Sequence, residues 1–514
     1  MSPAPRREAR DTSLTVPPAP GGRMHGGLRL DGHKQRSTRR PLRAAGESDM
    51  YVLPLDQHVG APATPRVRPG ESVLTGQVIG EAAGAWLHSP VSGIVKAIEL
   101  RPAAQHLGAP TLSVVIANDG RDRRGEYQTK RSFEQYSPRE LCEHIGRGGI
   151  VGLGGGAFPA ASKLLSAPIH TRRATTGDRP TWLLLNAMEC EPYISCDDML
   201  LREHARDVLL GASILMHAIG ARHCTIALED DTPQAEQAVR EALAEAADER
   251  IRIVILPRRY PAGSERQLIE TLFGIEVPFD GLPADVGVIC QNVGTAAAAA
   301  RWLRDGEPLI RRIVTVTGDG VREPADLEVL LGTPIATLIE DCGGYTPRMS
   351  RLIMGGSMMG VSLPHDALPI IKASQCIIAA SSLDLQPRSA EMPCIRCGDC
   401  AQVCPARLLP QQLHWHVHME NLEAAGNLEA LERHGLMDCI ECGCCDYVCP
   451  SQIPLVERFR EAKPALERAR MQPVEAAAAR ARFQARNVRL ARLEEEHRAR
   501  LAAKRRRPGE PRSG

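Results

Sequence analysis

Two short stretches, CIRCGDCAQVCP at 394–405 and CIECGCCDYVCP at 439–450, agree at eight of twelve positions and constrain this chain more than anything else in it. Each carries the spacing C-x2-C-x2-C-x3-C and ends in a proline, which cannot continue a helix and turns the chain away. Clustered thiolates are soft donors that suit zinc or iron–sulfur clusters. A zinc site closes with four ligands, usually two CxxC pairs separated by a loop. Three cysteines at CxxCxxC crowd a tetrahedral zinc but wrap one corner of a cubane. Zinc, or thiols with no metal, is the competing reading.

The complete run resembles that of bacterial two-cluster ferredoxins, in which the fourth cysteine serves the other cluster. The resemblance implies one [4Fe–4S] cluster on Cys394, Cys397, Cys400 and Cys449. It implies a second on Cys439, Cys442, Cys445 and Cys404. Cys444 superposes on Asp399, not a ligand position, and is expected to be a bystander. Between the blocks, Leu413, Val417, Leu422, Leu428 and Leu431 recur at helical spacing, which predicts an α-helical ferredoxin domain over 375–460. His414, His416 and His418 alternate at a period of two, which scatters them around a helix as packing or solvated groups.

At 514 residues the chain requires several domains. Its 63 basic and 62 acidic residues give no nucleic-acid signal. The first residues are charged and Pro-rich with no apolar core, so 1–23 is read as a disordered extension and not a signal peptide. The apolar stretch at 367–383 is broken by Lys372 and Gln375, so no membrane span is expected. In a cytosolic setting, sixteen cysteines argue for metal or redox chemistry over disulfides. Residues 461–514 hold fifteen Lys/Arg and seven Glu, a net +8, and read as a basic helical tail.

A second signal is IVGLGGGAFPAASKLL at 150–165. Glycines at 152, 154, 155 and 156 let backbone N–H groups approach a phosphate or a planar ring. Taken alone, such a run is a weak signal, with a tight structural turn as the competing reading. Three segments follow it. TWLLLNAMECEPYISCDD (181–198) reads as a buried strand entering a loop with Asn186, Glu189 and Glu191. PAGSERQLIETLFG (261–274) sets Glu265 before a helix, and VGVICQNVGTAAAAA (286–300) is a strand ending in Gln291 and Asn292. Polar loops at the carboxyl ends of strands are where open α/β sheets bind ligands.

In this order, GxGGGAFPxxxK, NAxExEP, GSExxLIExLxG and QNV resemble the flavin- and NADH-binding subunit of respiratory complex I. With the two cysteine blocks after them, the chain more closely resembles the RnfC component of the Rnf ion-translocating complexes, from about residue 24 to 460. The resemblance implies FMN held by Gly152, Gly154, Gly155, Gly156 and Lys163, with Phe158 stacking near the nicotinamide or flavin. It implies Asn186 and Glu189 as flavin ligands, Glu191 reaching NADH, and Glu265, Gln291 and Asn292 completing the pocket. The chain departs from the complex I pattern at Met188 and Ser264, where acidic residues are usual.

Residues 50–116 resemble the barrel-sandwich fold of biotinyl and lipoyl domains, but the hairpin tip between Ile79 and Pro90 has no lysine, which predicts a structural or docking role. Residues 312–345 resemble a small β-grasp domain. The expected architecture is therefore multidomain α/β plus α+β. It comprises a barrel-sandwich domain (24–120), a Rossmann-like FMN/NADH domain (138–305), a β-grasp or soluble ligand-binding domain (310–362), the two-cluster ferredoxin domain and the tail. The implied function is electron input from NADH through FMN and two [4Fe–4S] clusters, with ion transport in integral-membrane and cluster-carrying partner subunits and ferredoxin engaged indirectly. The expected place is peripheral, on the cytoplasmic side of the inner membrane. A soluble hydrogenase diaphorase-like oxidoreductase and a cluster-only electron-transfer adaptor are the competing readings.

Overall fold

The structure, a computed structural model, describes residues 22 and 24–506 apart from 105–107, 126–131, 172–180, 280, 386–388 and 419–424. The expected disordered extension lies almost wholly outside the described residues, as do Leu422 and the last residues of the tail. The chain divides into two compact units: Met1–Glu391 with Gln402–Arg407 and Cys442–Cys444, and Met392–Ala401 with Leu408–Glu441 and Cys445–Gly514.

The first unit opens with two antiparallel sheets. One orders Met50–Pro54, Pro110–Asn118, Gly93–Pro102 and Ser72–Val73; the other orders Thr64–Pro65, Val78–Glu81 and Leu87–His88. Alternating apolar side chains from both faces, among them Tyr51, Leu53, Ile79, Val95, Val114 and Ile116, fill the space between them. The lysine-free tip docks, as its sequence suggests. Ala85 is buried in the core of the next domain, and Trp86 N–H donates to Gly146 O at 3.1 Å.

That next domain is a parallel sheet in the order Ile251–Leu256, His223–Glu229, Trp182–Ala187, Val288–Asn292. Its strands are near-continuous apolar runs because helices cover both faces. Helix Pro138–Arg147 starts on a capping box, Ser137 with Glu140. Helices Cys196–Ile219 and Val293–Asp305 pack so closely that a Cβ on Gly211 would lie 2.0 Å from Ala296 O. The alanine run at 296–300 is what admits that approach.

A six-stranded mixed sheet follows, ordered Arg43–Ala44, Ala325–Leu330, Arg311–Thr317, Cys376–Ser381, Met349–Met354, Val361–Leu363. Helix Ile335–Asp341 covers one face with Ile335, Leu338 and Ile339. From its sequence this domain was expected to end at 362, with the ferredoxin segment beginning at 375. Cys376–Ser381 is instead an interior strand, buried along its whole length and paired in parallel with Arg311–Thr317. Its continuous apolar run carries no alternation that would mark it as a strand of a two-faced sheet.

In the second unit, helices Pro410–Val417 and Ala425–Arg433 pack on the start of the long helix Leu455–Arg506. Leu413, Leu431, Leu436, Phe459, Ala462 and Leu466 form its core. The tail boundary at 461 therefore moves: Ala462 and Leu466 are core residues, and Lys463 Nζ donates to Cys439 O at 2.7 Å. From Ala477 to Ala502 the helix is exposed. His414 stacks on His418 at 5.5 Å between ring centroids and His416 on His434 at 5.7 Å, which are packing roles. No helix among the described residues is long and apolar enough to cross a membrane.

Candidate functional site

In the parallel sheet, strand Trp182–Ala187 connects outward on one side, and the chain then returns to place Val288–Asn292 on its other side. This reversal opens a crevice at the carboxyl ends of these two neighbouring strands, the usual ligand position in such sheets. Asn186 and Asn292 are register partners at those ends. The glycine loop lies beside them. It is closed by a bridge between Val151 and Pro159, and Gly152 N–H donates to Phe158 O at 2.8 Å. Leu153 N–H donates to Thr295 Oγ1 at 3.0 Å, which fastens the loop to the helix that follows Asn292.

The glycines differ in what they permit. Gly155 has φ 94°, and a Cβ there would meet Gln375 Oε1 at 2.8 Å. Gly154 faces the Asn292 side chain, 3.5 Å from the place its Cβ would occupy. At Gly156 a Cβ would meet nothing within 4 Å. Gly154 and Gly156 are both exposed, so the loop offers open backbone beside the crevice. Gln291 adds a buried amide whose Nε2 has no hydrogen-bond partner among the described residues. An unpaired buried donor costs stability unless an acceptor meets it. Open backbone and a waiting donor fit a flat, acceptor-rich group with a phosphate, as FMN is.

Other expected ligands are already engaged. Asn186 Nδ2 donates to Gly263 O at 2.8 Å, and its Oδ1 accepts Met188 N–H at 2.9 Å. Asn292 caps its helix by accepting Gly294 N–H at 2.8 Å and donates to Asp197 Oδ2 at 2.6 Å. Lys163 Nζ pairs with Glu265 Oε1 at 2.5 Å, joining helices Ala160–Leu165 and Glu265–Phe273. Phe158 is 45% exposed. Glu189 turns inward, accepting the Asp197 N–H at 2.8 Å at the start of helix Cys196–Ile219, where a carboxylate complements the helix dipole. Glu191 accepts the N–H groups of Met358 and Met359 at 2.7 and 2.9 Å, and a Cβ on Gly356 would strike its side chain.

No motif pointed to Lys34. Its ammonium is buried 3.2 Å from Glu229 and 3.5 Å from Glu189. Burial alone would lower its pKa, but the two carboxylates outweigh that and raise it. Burial pushes Glu229 up to about 7, and burial together with the Glu189 charge pushes Asp197 up to about 7. The line Lys34–Glu189–Asp197–Asn292 thus runs beneath the crevice and fixes the amide at its mouth. Asp197 lies within the 181–198 segment but was not singled out there; Lys34 has no local signature, because its partners are remote in sequence.

In the second unit, Cys394, Cys397, Cys400 and Cys449 line one cavity, with Gln411 and His414 on its wall. Four thiols with Ile453 and Leu455 around them match the donor set of a cubane. His414 Nδ1 lies 3.2 Å from Arg458. Of the second set, Cys404, Cys442 and Cys445 are buried and Cys439 is partly so. Cys444 is buried at the start of the short helix Cys444–Val448. No disulfide joins any of the sixteen cysteines.

Four family models match: the RnfC barrel sandwich hybrid domain at 22–121, the Nuo51 FMN-binding domain at 145–301, the SLBB domain at 313–362 and the 4Fe-4S dicluster domain at 393–454. The chain thus has an FMN-binding domain and a dicluster iron–sulfur domain. Three relatives are each named as the C component of an ion-translocating oxidoreductase complex. That of Pseudomonas aeruginosa is 46% identical, over 91% of this chain and 59% of that protein. That of Vibrio cholerae is 41% identical, over 77% and 50%. That of Salmonella gallinarum is 40% identical, over 93% and 68%. The chain therefore spans about half to two thirds of the length of these relatives. A solved structure of an NAD+-reducing [NiFe]-hydrogenase aligns with 66% of this chain and 64% of its own at 19% identity and a TM-score of 0.44. On the strength of these relatives, the chain belongs to the RnfC family, the C components of ion-translocating oxidoreductase complexes.

Proposed function

We propose that this chain is the electron-input subunit of a membrane-bound ion-translocating complex, taking electrons from NADH at an FMN site and delivering them through two [4Fe–4S] clusters. The observation that carries the reading is the meeting of the glycine loop, Gln291, Asn186 and Asn292 at the crevice of the parallel sheet. FMN, when bound, supplies the exchange between two-electron and one-electron chemistry. Gly154 and Gly156 offer backbone to the group, Gln291 offers its donor, and Phe158 forms an exposed apolar wall for a ring. Lys163 sets a cation at the rim beside Glu265. Glu189 and Glu191 act by holding backbone, the first at the helix start and the second at 358–359.

The ligand sets are Cys394, Cys397, Cys400 and Cys449 for one cluster and Cys439, Cys442, Cys445 and Cys404 for the other. Ion movement belongs to integral-membrane partners, since no described helix spans a bilayer. Ferredoxin takes part through them, and the chain sits peripherally on the cytoplasmic face of the inner membrane. Anaerobic purification with flavin, iron and sulfide measured per chain tests the reading, with about one flavin and eight irons expected. NADH should bleach the flavin band. Loaded clusters with neither flavin nor NADH response would leave the cluster-only adaptor.

A further inference from the structure

The turn after strand Arg311–Thr317 and the turn before strand Met349–Met354 border a cleft of about 460 Å³. Among its lining side chains are four guanidinium groups, of Arg36, Arg39, Arg322 and Arg348, and one carboxylate, of Asp319. The floor is fixed by backbone. Gly320 N–H donates to Ala379 O and Thr346 N–H to Gly320 O, each at 2.8 Å, and Thr346 Oγ1 donates to Asp319 O at 2.8 Å. Gly318 has φ 100°, and a Cβ there would lie 2.2 Å from Ala379 O, so this turn tolerates no side chain.

Arg36 is anchored: it donates to buried Asp384 at 2.9 Å and lies over the Tyr193 ring at 5.6 Å. Asp384 also accepts the Asp319 N–H at 2.9 Å, which holds the carboxylate-bearing residue in place. The other three guanidinium groups are less committed. Arg348 stands 3.7 Å from Asp319 with its side chain 68% exposed; Arg322 gives its Nε to Tyr345 O at 3.2 Å; Arg39 is exposed. Even with Asp384 counted against Arg36, the lining keeps two positive charges in excess. The chain as a whole is nearly neutral, so this concentration is local. Like charges around a concave floor repel one another, and they focus the field on whatever anion enters.

We infer that this cleft binds a small phosphate-bearing anion, with the phosphate among Arg39, Arg322 and Arg348 and a hydroxyl or amine of the same ligand on Asp319. The volume is that of a small-molecule site. Guanidinium forks match phosphate oxygens two at a time. A free nucleotide phosphate and a phospholipid headgroup present the same chemistry. The inference stands apart from the flavin assignment, because none of these residues belongs to the glycine loop or the cysteine sets.

Calorimetric titration of the full-length protein with inorganic pyrophosphate at physiological salt tests it, beside vesicles of phosphatidylglycerol in phosphatidylcholine. Saturable pyrophosphate binding is expected, weakened roughly tenfold or more in each of Arg322→Gln and Arg348→Gln. Arg39→Gln, an exposed position, gives a third variant that leaves the fold intact. Because the basic tail also attracts polyanions, Arg505→Gln with Arg506→Gln serves as the control and should leave the affinity unchanged. Vesicle binding that depends on the cleft arginines, without pyrophosphate binding, assigns the phosphate to a lipid. Binding that ignores the cleft arginines, or no binding of either probe, overturns the inference. A poly-glutamate peptide that binds more tightly with the same arginine dependence overturns it in favour of an acidic protein segment.

Discussion

Gly156 is a position where bulk enters the crevice without disturbing the fold, since its backbone needs no positive φ and a Cβ there meets nothing. Gly156→Val should keep the thermal midpoint within a few degrees while flavin retained on purification falls at least about tenfold, as a blocked cradle requires. Gly155→Val should instead damage folding, through both its φ and its contact with Gln375. Buried Asp326 makes a different test. It accepts Ser195 Oγ at 2.8 Å and Thr315 Oγ1 at 2.6 Å, and burial pushes it up to about 7. A carboxyl with a raised folded pKa stabilises the fold fully below its ordinary value of 3.8, and that contribution is lost as pH rises through about 7. Asp326→Asn should therefore flatten part of the decline in unfolding midpoint across that window, read by thermal melts at several pH values. Among the cysteines, Cys449→Ser should remove the same EPR signal as Cys394→Ser, and Cys444→Ser should leave both cluster signals. At this scale the sequence was legible where a motif is local, as in the cysteine blocks, the glycine loop and QNV. It was silent where a partner is remote. Lys34 and Arg312, both buried and both needed beneath the site, belong to no motif.

Lys372 shows what elements require of one another. Its Nζ donates to Trp86 O at 2.8 Å on the docked hairpin and to Gly149 O at 2.7 Å just before the glycine loop. Nearby, Arg312 donates to Leu153 O at 3.1 Å within the loop. Burial brings the Lys372 ammonium down to about 7, so it serves as a donor that holds its charge poorly. Lys372→Met should leave two buried carbonyls without their donor, at about 1–3 kcal/mol each. Faster amide exchange around 84–88 and 149–156 would report the loosened hairpin. In sequence, Lys372 was read only as the residue that breaks an apolar run; nothing in the run says that the break is a fastening point. The interior strand Cys376–Ser381 was missed for a related reason. A fully buried strand has no polar face to set a period of two, and its partner Arg311–Thr317 is distant in the chain.

For the whole molecule, the order of domains was legible because each carries its own local signature, whereas the tail boundary was not. Deleting from 461 removes Ala462 and Leu466 from the core of the second unit, and Lys463 with its bond to Cys439 O. Deleting from 472 leaves these in place. Iron content should survive the second truncation and fall in the first, measured on anaerobically purified protein. The 472 truncation should also stay mostly on native membranes after a salt wash. Exposed charges are screened over about 8 Å at physiological ionic strength, whereas a desolvated protein contact is not. Release of the truncated protein by salt that retains the full chain would make the tail the anchor.

The placement of Cys376–Ser381 also sets a timetable for synthesis. The parallel sheet can close once Asn292 has left the ribosome, but the six-stranded sheet lacks an interior strand until Ser381 emerges. Until then Arg311–Thr317 and Met349–Met354 have no common neighbour, and Arg43–Ala44 waits for a sheet that is not yet stable. Domains generally fold as units during translation, and unpaired strand edges are the exposed hazard of the interval. A nascent chain stalled with residues through Asp366 outside the exit tunnel should be cut readily by protease within 311–354, and one extended past Leu385 should resist. The first cysteine block follows at once, so its four thiols emerge just after the sheets of the first unit have become complete.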